Sequence, residues 1–335
     1  MKIVITGING FVGSHLARAL VASGHEVTGL VRSNSRLHLL AGLDIRLVRG
    51  DVCEPEGLPA VVRGADVVYH AAGLTNASSL ATFMNVNAQG AANVAAACAD
   101  CPTPPTLVHI SSLAAAGPSP PDRPRQESDP AVPVSHYGKS KLAGEAAVRK
   151  FAARVPTTIV RPPIVIGFGD DNLMGFVRMV FRHGMHLVPG SVATPYSVIH
   201  ASDLALGLLQ AARLAARLPA ECDNNQTGIY YMAGDEHPGY DELGRLIGQA
   251  VGRESVRIVY TPRWLAWSIA AGTEGISRLR GRASLINIDK LRDATAGGWV
   301  CSPSRAKADL GFRVAAPLAA RLREVAEQMI AAGVV

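Results

Sequence analysis

The stretch Lys2-Ile3-Val4-Ile5-Thr6-Gly7-Ile8-Asn9-Gly10-Phe11-Val12-Gly13 decides the fold. A short apolar run with β-branched residues reads as a buried strand, three glycines at GxxGxxG spacing follow it without a gap, and an amphipathic helical pattern begins at once. Glycine turns the chain tightly and lets backbone approach a pyrophosphate with no Cβ in the way. The helix N-terminus adds unpaired N–H groups and the positive end of its dipole. The stretch is therefore predicted to cradle a dinucleotide through Gly7, Asn9, Gly10, Phe11, Val12 and Gly13, with Gly13 also serving close helix–strand packing.

Outward from this turn, apolar runs EVTGLV (26–31), IRLV (45–48), DVVYHA (66–71), TLVHIS (106–111) and TTIVR (157–161) read as strands. Helical patterns at 11–23, 33–41, 54–63, 80–100 and 137–154 fill the gaps. Alternation of this kind predicts an α/β protein built on a Rossmann-type doubly wound parallel sheet, with residues 1–165 as the nucleotide-binding domain. Beyond 162 the pattern becomes irregular: a helix near 172–184, a strand at 196–200, a helix at 202–216, a strand at 228–234 and a helix at 239–252. Residues 166–335 are read as a smaller substrate-binding lobe interleaved with the sheet, of which 196–216 returns to the nucleotide-binding part. The segment GPSPPDRPRQESDPAVP (117–133), with six prolines, can be neither helix nor central strand. It is a loop at the carboxyl end of a strand, where open α/β sheets place substrates, or else a plain spacer.

The residues after the second strand select the nucleotide. An acidic side chain there would bind the ribose hydroxyls of NAD, whereas this chain has Val31-Arg32-Ser33. Arg32, assisted by Arg36, is suited to charge-assisted contact with a ribose 2′-phosphate, so NADP(H) is favoured over NAD(H); a solvated surface arginine is the other reading. Asp51, in Arg49-Gly50-Asp51-Val52 after the third strand, is placed to accept from the adenine amino group, with Val52 beside it.

Tyr137-Gly138-Lys139-Ser140-Lys141 puts Tyr137 and Lys141 four apart, on one face of a helix. A phenol, with an ordinary pKa of about 10, is a poor acid or base at neutral pH unless a nearby cation stabilises its phenolate, and Lys141 supplies one. Ser112, just past the fifth strand, would hold the substrate oxygen. On spacing alone the pair could be a surface Tyr and Lys; joined to the cradle and the serine it reads as proton-transfer machinery for hydride chemistry.

With these pieces in place the sequence resembles the extended short-chain dehydrogenase/reductase superfamily, the NAD-dependent epimerase/dehydratase family. The resemblance rests on Thr6 to Gly13, Gly50-Asp51-Val52, His70-Ala71-Ala72-Gly73, Asn85-Val86-Asn87, Ser111-Ser112, Tyr137 to Lys141, Arg161 to Gly167, Val198 to Ala205 and Ser304 to Phe312, nearly the whole chain. It implies that Ser112 rather than Ser111, with Tyr137 and Lys141, is catalytic and that Asn87 orders the site. It further implies that Ala71, Ala72, Gly73 and Thr75 line the nicotinamide ribose, that Tyr137 and Lys141 also touch the cofactor, and that Pro162, Ile164 and Val165 approach the carboxamide. Family members commonly form homodimers through helices matching 80–100 and 137–154.

Sugar-nucleotide epimerases and dehydratases share this framework, but they usually carry an acid where Arg32 stands and an arginine where this chain has Thr194-Pro195-Tyr196-Ser197. Both departures look more like the hydroxysteroid dehydrogenase and dihydroflavonol reductase branch, which implies a hydrophobic or aromatic ketone or secondary alcohol as substrate. Pro262 to Ala271, with Trp264 and Trp267, would wall an apolar pocket, touch a membrane surface or simply pack in the core. A nucleotide-sugar epimerase or dehydratase with tightly held NAD, and a non-catalytic NADP(H) sensor, remain the alternatives.

Composition excludes other classes. The chain has 335 residues, 48% hydrophobic and 18% charged, which fits a globular enzyme. A net charge of +6 with no basic run does not favour nucleic acid. The cysteines, at 53, 98, 101, 222 and 301, are odd in number and scattered, which points to a reducing compartment, and no signal-peptide pattern precedes the first strand, so a cytoplasmic protein is expected. No run of about 20 apolar residues suggests a membrane span. Cys98-x-x-Cys101 lacks a second pair, and His183 and His186 lack further ligands, so no metal is expected.

Overall fold

The computed structural model describes residues 1–77, 79–120, 122–190, 194–221, 223–279 and 287–335; Cys222 and position 280 lie outside them. In chain order its strands are β1 (Lys2–Thr6), β2 (Glu26–Val31), β3 (Arg46–Arg49), β4 (Val67–His70), β5 (Thr106–Ile110), β6 (Thr157–Arg161), β7 (Ile164–Ile166), β8 (Met185–Pro189), β9 (Val198–His200), β10 (Ile229–Tyr231) and β11 (Arg257–Thr261). The first six and β10 form one parallel sheet in the order β10-β6-β5-β4-β1-β2-β3, with β1 between β2 and β4. This is the doubly wound α/β fold that the alternating pattern predicts.

Central strands of such a sheet are covered on both faces, which is why β1, β4 and β6 are apolar or satisfied at almost every position rather than alternating. On one face Ile3, Ile5 and Tyr69 pack against Leu16 and Leu20 of the helix Phe11–Ala22 and against Leu204 and Leu208 of the helix Ala201–Leu214. On the other, Val4, Val68, Leu107 and Ile159 meet Leu58, Val94 and Val148 from the helices that cross behind the sheet. A third apolar cluster, with Leu173, Val177, Leu243, Ile247 and Leu322, is built by the helices Asp171–His183, Tyr240–Ala250 and Leu318–Ala331. The pairs β7–β9 and β8–β11 stand beside these helices as small separate sheets.

Four local expectations change. Residues 33–41 form only a 3-10 turn at His38–Leu40, because Ser35 Oγ takes the Arg32 N–H (3.0 Å) and a polar Arg-Ser-Asn-Ser start favours local side-chain bonds over helix. The stretch 80–100 is helical but not uniform: Leu80–Phe83, a π-helical Met84–Gln89 and Gly90–Ala99 follow one another. The helix expected over 137–154 is His136–Arg149, and Phe151 to Arg154 close it in tight turns. The strand at 228–234, grouped by sequence with the smaller lobe, contributes β10, which extends the main sheet beside β6. Among the described residues no helix is long and apolar enough to cross a membrane.

Candidate active site

The β1 turn has the shape its glycines predict. Gly7 has φ +70°, and a Cβ there would fall 2.6 Å from the Ala72 backbone; a Cβ on Gly13 would meet the Gly7 carbonyl oxygen at 2.2 Å. Gly10 is the N-cap of the helix Phe11–Ala22 and offers no side-chain cap, so the first N–H groups of that helix are left open. Asn9, Phe11 and Val12 are half-buried around this mouth, Phe11 edge-on to His15 with ring centroids 5.3 Å apart and Val12 against the core. Backbone that a Cβ would fill, joined to an uncapped helix N-terminus, fits the pyrophosphate of a dinucleotide.

Arg32 and Arg36 are exposed, with no ion-pair partner among the described residues. Asp51 is half-buried and its Oδ1 accepts the Cys53 N–H (3.0 Å). Val52 is buried, with its methyl in the place a Cβ on Gly90 would need. Ala71 and Ala72 are half-buried against β1, whose Thr6 carbonyl accepts the Ala71 N–H, while Gly73 and Thr75 are exposed at the end of β4. Pro162 accepts the Leu113 N–H through its carbonyl (2.8 Å), Ile164 packs in the same apolar cluster as Tyr137, and Val165 packs on the main core.

Tyr137 and Lys141 stand in the first turns of the helix His136–Arg149. Lys141 is buried, and its Nζ donates to the Ile110 carbonyl (2.7 Å). Burial pulls its pKa down to about 8, against the favourable charge of Glu145 one turn on. Tyr137 is pushed up to about 12, first by burial; a hydrogen bond with Ser112 opposes the rise, and the Asp293 carboxylate adds to it. Ser112 caps the short helix Leu113–Ala116 by accepting the Ala114 N–H (3.1 Å). Ser111 is turned away and donates to Glu145 Oε1 (2.5 Å). Asn87, inside the π-helical turn, accepts the Leu74 N–H (2.7 Å) and donates to the Leu74 carbonyl and to Ser140 Oγ. It thereby ties the 73–75 loop to the tyrosine helix, and its Oδ1 would lie 3.1 Å from a Cβ on Gly73.

The structure thus brings Ser112, Tyr137, Lys141, Asn87 and Gly73 to one place at the carboxyl ends of β4 and β5. It also adds residues that the sequence pattern did not single out. Glu145 and Arg161 form a buried two-point ion pair (2.8 and 2.6 Å) beneath Lys141, with Tyr231 beyond the guanidinium. Glu145 follows Lys141 by four positions on the same helix face, a visible signal that a second buried charge was coming. Asp289 and Asp293 had no such signal. From the helix Ile288–Thr295, Asp289 accepts the backbone N–H of His136 (2.6 Å) and of Tyr137 (3.0 Å). Asp293 is pushed up to about 7 by burial, against a hydrogen bond from Ser135, and its Oδ1 is buried without a hydrogen-bond partner among the described residues.

The loop 117–133 is a loop as expected, but much of it is pinned. Buried Arg125 donates to the carbonyls of Pro118 and Pro130, its backbone pairs with Val300 and Ser302, and Glu127 accepts the Tyr231 N–H. At the position where a diphosphate anchor would stand, Tyr196 packs on Tyr240 and Ser197 Oγ accepts the Cys301 N–H, and neither residue offers a cation. His186 is buried and bonded to the Tyr240 carbonyl, with exposed His183 at the end of the preceding helix. Cys98 is buried and Cys101 half-buried, both as free thiols.

The profile of the NAD dependent epimerase/dehydratase family matches residues 3–222. The chain belongs to that family. Its members are extended short-chain dehydrogenases/reductases, and this protein is accordingly an oxidoreductase dependent on a nicotinamide dinucleotide. A ceramide reductase of Caulobacter vibrioides is 31% identical over 302 residues, covering 90% of this chain and 86% of the relative. A 2-alkyl-3-oxoalkanoate reductase of Shewanella oneidensis is 26% identical, over 82% of this chain and 72% of that one. Among solved structures, the dTDP-glucose 4,6-dehydratase of Streptomyces venezuelae with NAD bound superposes with a TM-score of 0.77 at 21% identity, over 99% of this chain and 97% of the other, a likeness of fold.

Proposed function

We propose that the protein is an NADP(H)-dependent reductase or dehydrogenase for the ketone and secondary alcohol forms of a hydrophobic substrate, in particular one with a long alkyl chain. The observation that carries this reading is the gathering of Ser112, Tyr137 and Lys141 at the strand ends beside the glycine cradle. Gly7, Gly10, Gly13 and the open helix end would hold a nicotinamide dinucleotide, which would supply or receive the hydride. Ser112 holds the substrate oxygen. Tyr137, protonated at neutral pH because burial pushes its phenol up to about 12, gives its proton to that oxygen as the ketone becomes the alcohol. The Lys141 ammonium stabilises the phenolate that remains, and the reverse sequence serves alcohol oxidation.

Arg32 and Arg36, exposed and without an ion-pair partner among the described residues, favour the 2′-phosphate of NADP(H). The apolar character of the substrate is supported by Tyr196 and Ser197 where a diphosphate anchor would stand, and by relatives named for a ceramide and for a 2-alkyl-3-oxoalkanoate. Assembly as a homodimer through residues 80–99 and 136–149 belongs to the same proposal, and exposed Leu80 and Met84 mark where that contact would fall.

Replacing Tyr137 with Phe should lower turnover by about 10²–10⁴ while leaving NADPH affinity nearly intact; undiminished turnover would overturn the mechanism. Arg32→Ala should weaken NADPH by about tenfold or more and leave NADH unaffected, since charge-assisted bonds contribute about 1.5–3 kcal/mol each. Equal loss for both nucleotides would remove the case for NADP(H).

A further inference from the structure

The helix Arg263–Leu279 leaves an uncharged apolar stripe in solvent. Trp264 is 71% exposed, Leu265 36% and Ile269 45%, and Ser268, Ala271 and Gly272 share their side, while Ala270 is fully buried and Ala266 and Trp267 are half-buried. A helix held to a protein by one face normally carries charge on the other. Between residues 264 and 273 there is none. The charge that flanks the stripe in the sequence is mostly positive: from 255 to 282 it holds Arg257, Arg263, Arg278, Arg280 and Arg282 against Glu274. Glu274 is engaged internally, its Oε2 accepting the Ile288 N–H (3.3 Å).

Among the described residues no helix, this one included, is long and apolar enough to cross a bilayer. A helix with tryptophan and branched aliphatics on its open side, and arginines before and after it in the sequence, suits the boundary between headgroups and acyl chains, where the aromatic ring lies at the interface and arginines attract anionic lipid. Its place in the molecule also fits. Arg263 Nη2 donates to the Thr295 carbonyl (3.1 Å), and the helix thus reached, Ile288–Thr295, is the one whose Asp289 holds the N–H groups of His136 and Tyr137. One helix separates the apolar stripe from Tyr137.

We propose that the helix Arg263–Leu279 docks this protein on anionic phospholipid bilayers, lying in the plane of the interface with Trp264, Leu265 and Ile269 inserted. The docking goes beyond the ketone reading and is measured without turnover, so either can fail alone. Sedimentation of the full-length protein with phosphatidylcholine vesicles, with and without phosphatidylglycerol, reads it directly. Binding is expected with phosphatidylglycerol, weakening as salt rises, and the double variant Trp264→Ser, Ile269→Ser should lose about tenfold or more of its partitioning at an unchanged melting temperature. Conservative Trp264→Phe should retain most of it. Failure to bind phosphatidylglycerol vesicles, or equal binding by wild type and double variant, would overturn the proposal. So would a dimer in sedimentation velocity that the double variant dissolves without any vesicle binding by the wild type, since a second copy would then be what covers the stripe.

Discussion

Two helix N-termini meet at the candidate site, and they are finished in opposite ways. The helix Phe11–Ala22 starts at Gly10 with no side-chain cap, and its first N–H groups stay open. The helix His136–Arg149 starts at Ser135, and its first three N–H groups are all taken: those of His136 and Tyr137 by Asp289, that of Gly138 by Ser135 Oγ (2.9 Å). An open end is a ready anion site, where a ligand supplies the missing acceptors. A closed end offers nothing to a ligand and holds its own first turn still, which matters when the residue in that turn must keep its hydroxyl in one place. On the proposed reading, the same backbone feature would serve binding in one region and positioning in the other.

Closing the open end should give the largest effect. Gly10→Asp places a carboxylate where a pyrophosphate would sit, and NADPH affinity should fall by about a hundredfold or more, since two charge-assisted bonds are lost and a like charge added. A fluorescence titration reads it, and retained affinity would mean the phosphates bind elsewhere. Removing the cation beside the tyrosine comes next: Lys141→Met should cut turnover by about 10²–10³ with the fold intact. Opening the closed end should cost less. Asp289→Ala should lower stability to denaturant by about 1–2 kcal/mol and turnover by about tenfold, with cofactor affinity unchanged; a loss of affinity instead would show that the tyrosine helix is not what Asp289 serves.

The smallest effect is on pH dependence. In the reduction direction Tyr137 must give up a proton, and a negative Asp293 nearby makes it a weaker acid. As pH rises through about 7, Asp293 ionises and the rate should decline; as it rises through about 8, Lys141 loses its charge and the rate should fall again. Asp293→Asn removes the first step only, so the falling limb should move upward toward about 8 with the maximum rate little changed. An unmoved profile would show that Asp293 does not act on Tyr137.

Much of this was legible in the chain because the groups concerned are close in sequence. The cradle occupies residues 7–13, and Tyr137 and Lys141 are neighbours on one helix turn, so strand period, glycine spacing and helical spacing were enough to place them. The helix expected at 33–41 failed for a reason also local, the competition of Ser35 with the backbone. Other features had no local trace. The π-helical turn that aims Asn87 looks in sequence like ordinary helix. Three residues of β10 carry too little pattern to show that they pair with β6 rather than within the smaller lobe.

The sequence by itself determined the parallel sheet, the glycine turn and the tyrosine–lysine pair, because each follows from a repeat or a spacing shorter than one helix. Tertiary structure alone decided what surrounds that pair. Asp289 lies 152 positions from Tyr137 in the chain and takes its backbone N–H, Arg161 crosses from β6 to neutralise Glu145, and Asp293 comes in from the same distant helix with a carboxyl oxygen unpaired among the described residues. A charge or a cap acts through space over a few ångströms, whatever the separation along the chain, so only the folded arrangement could name these partners.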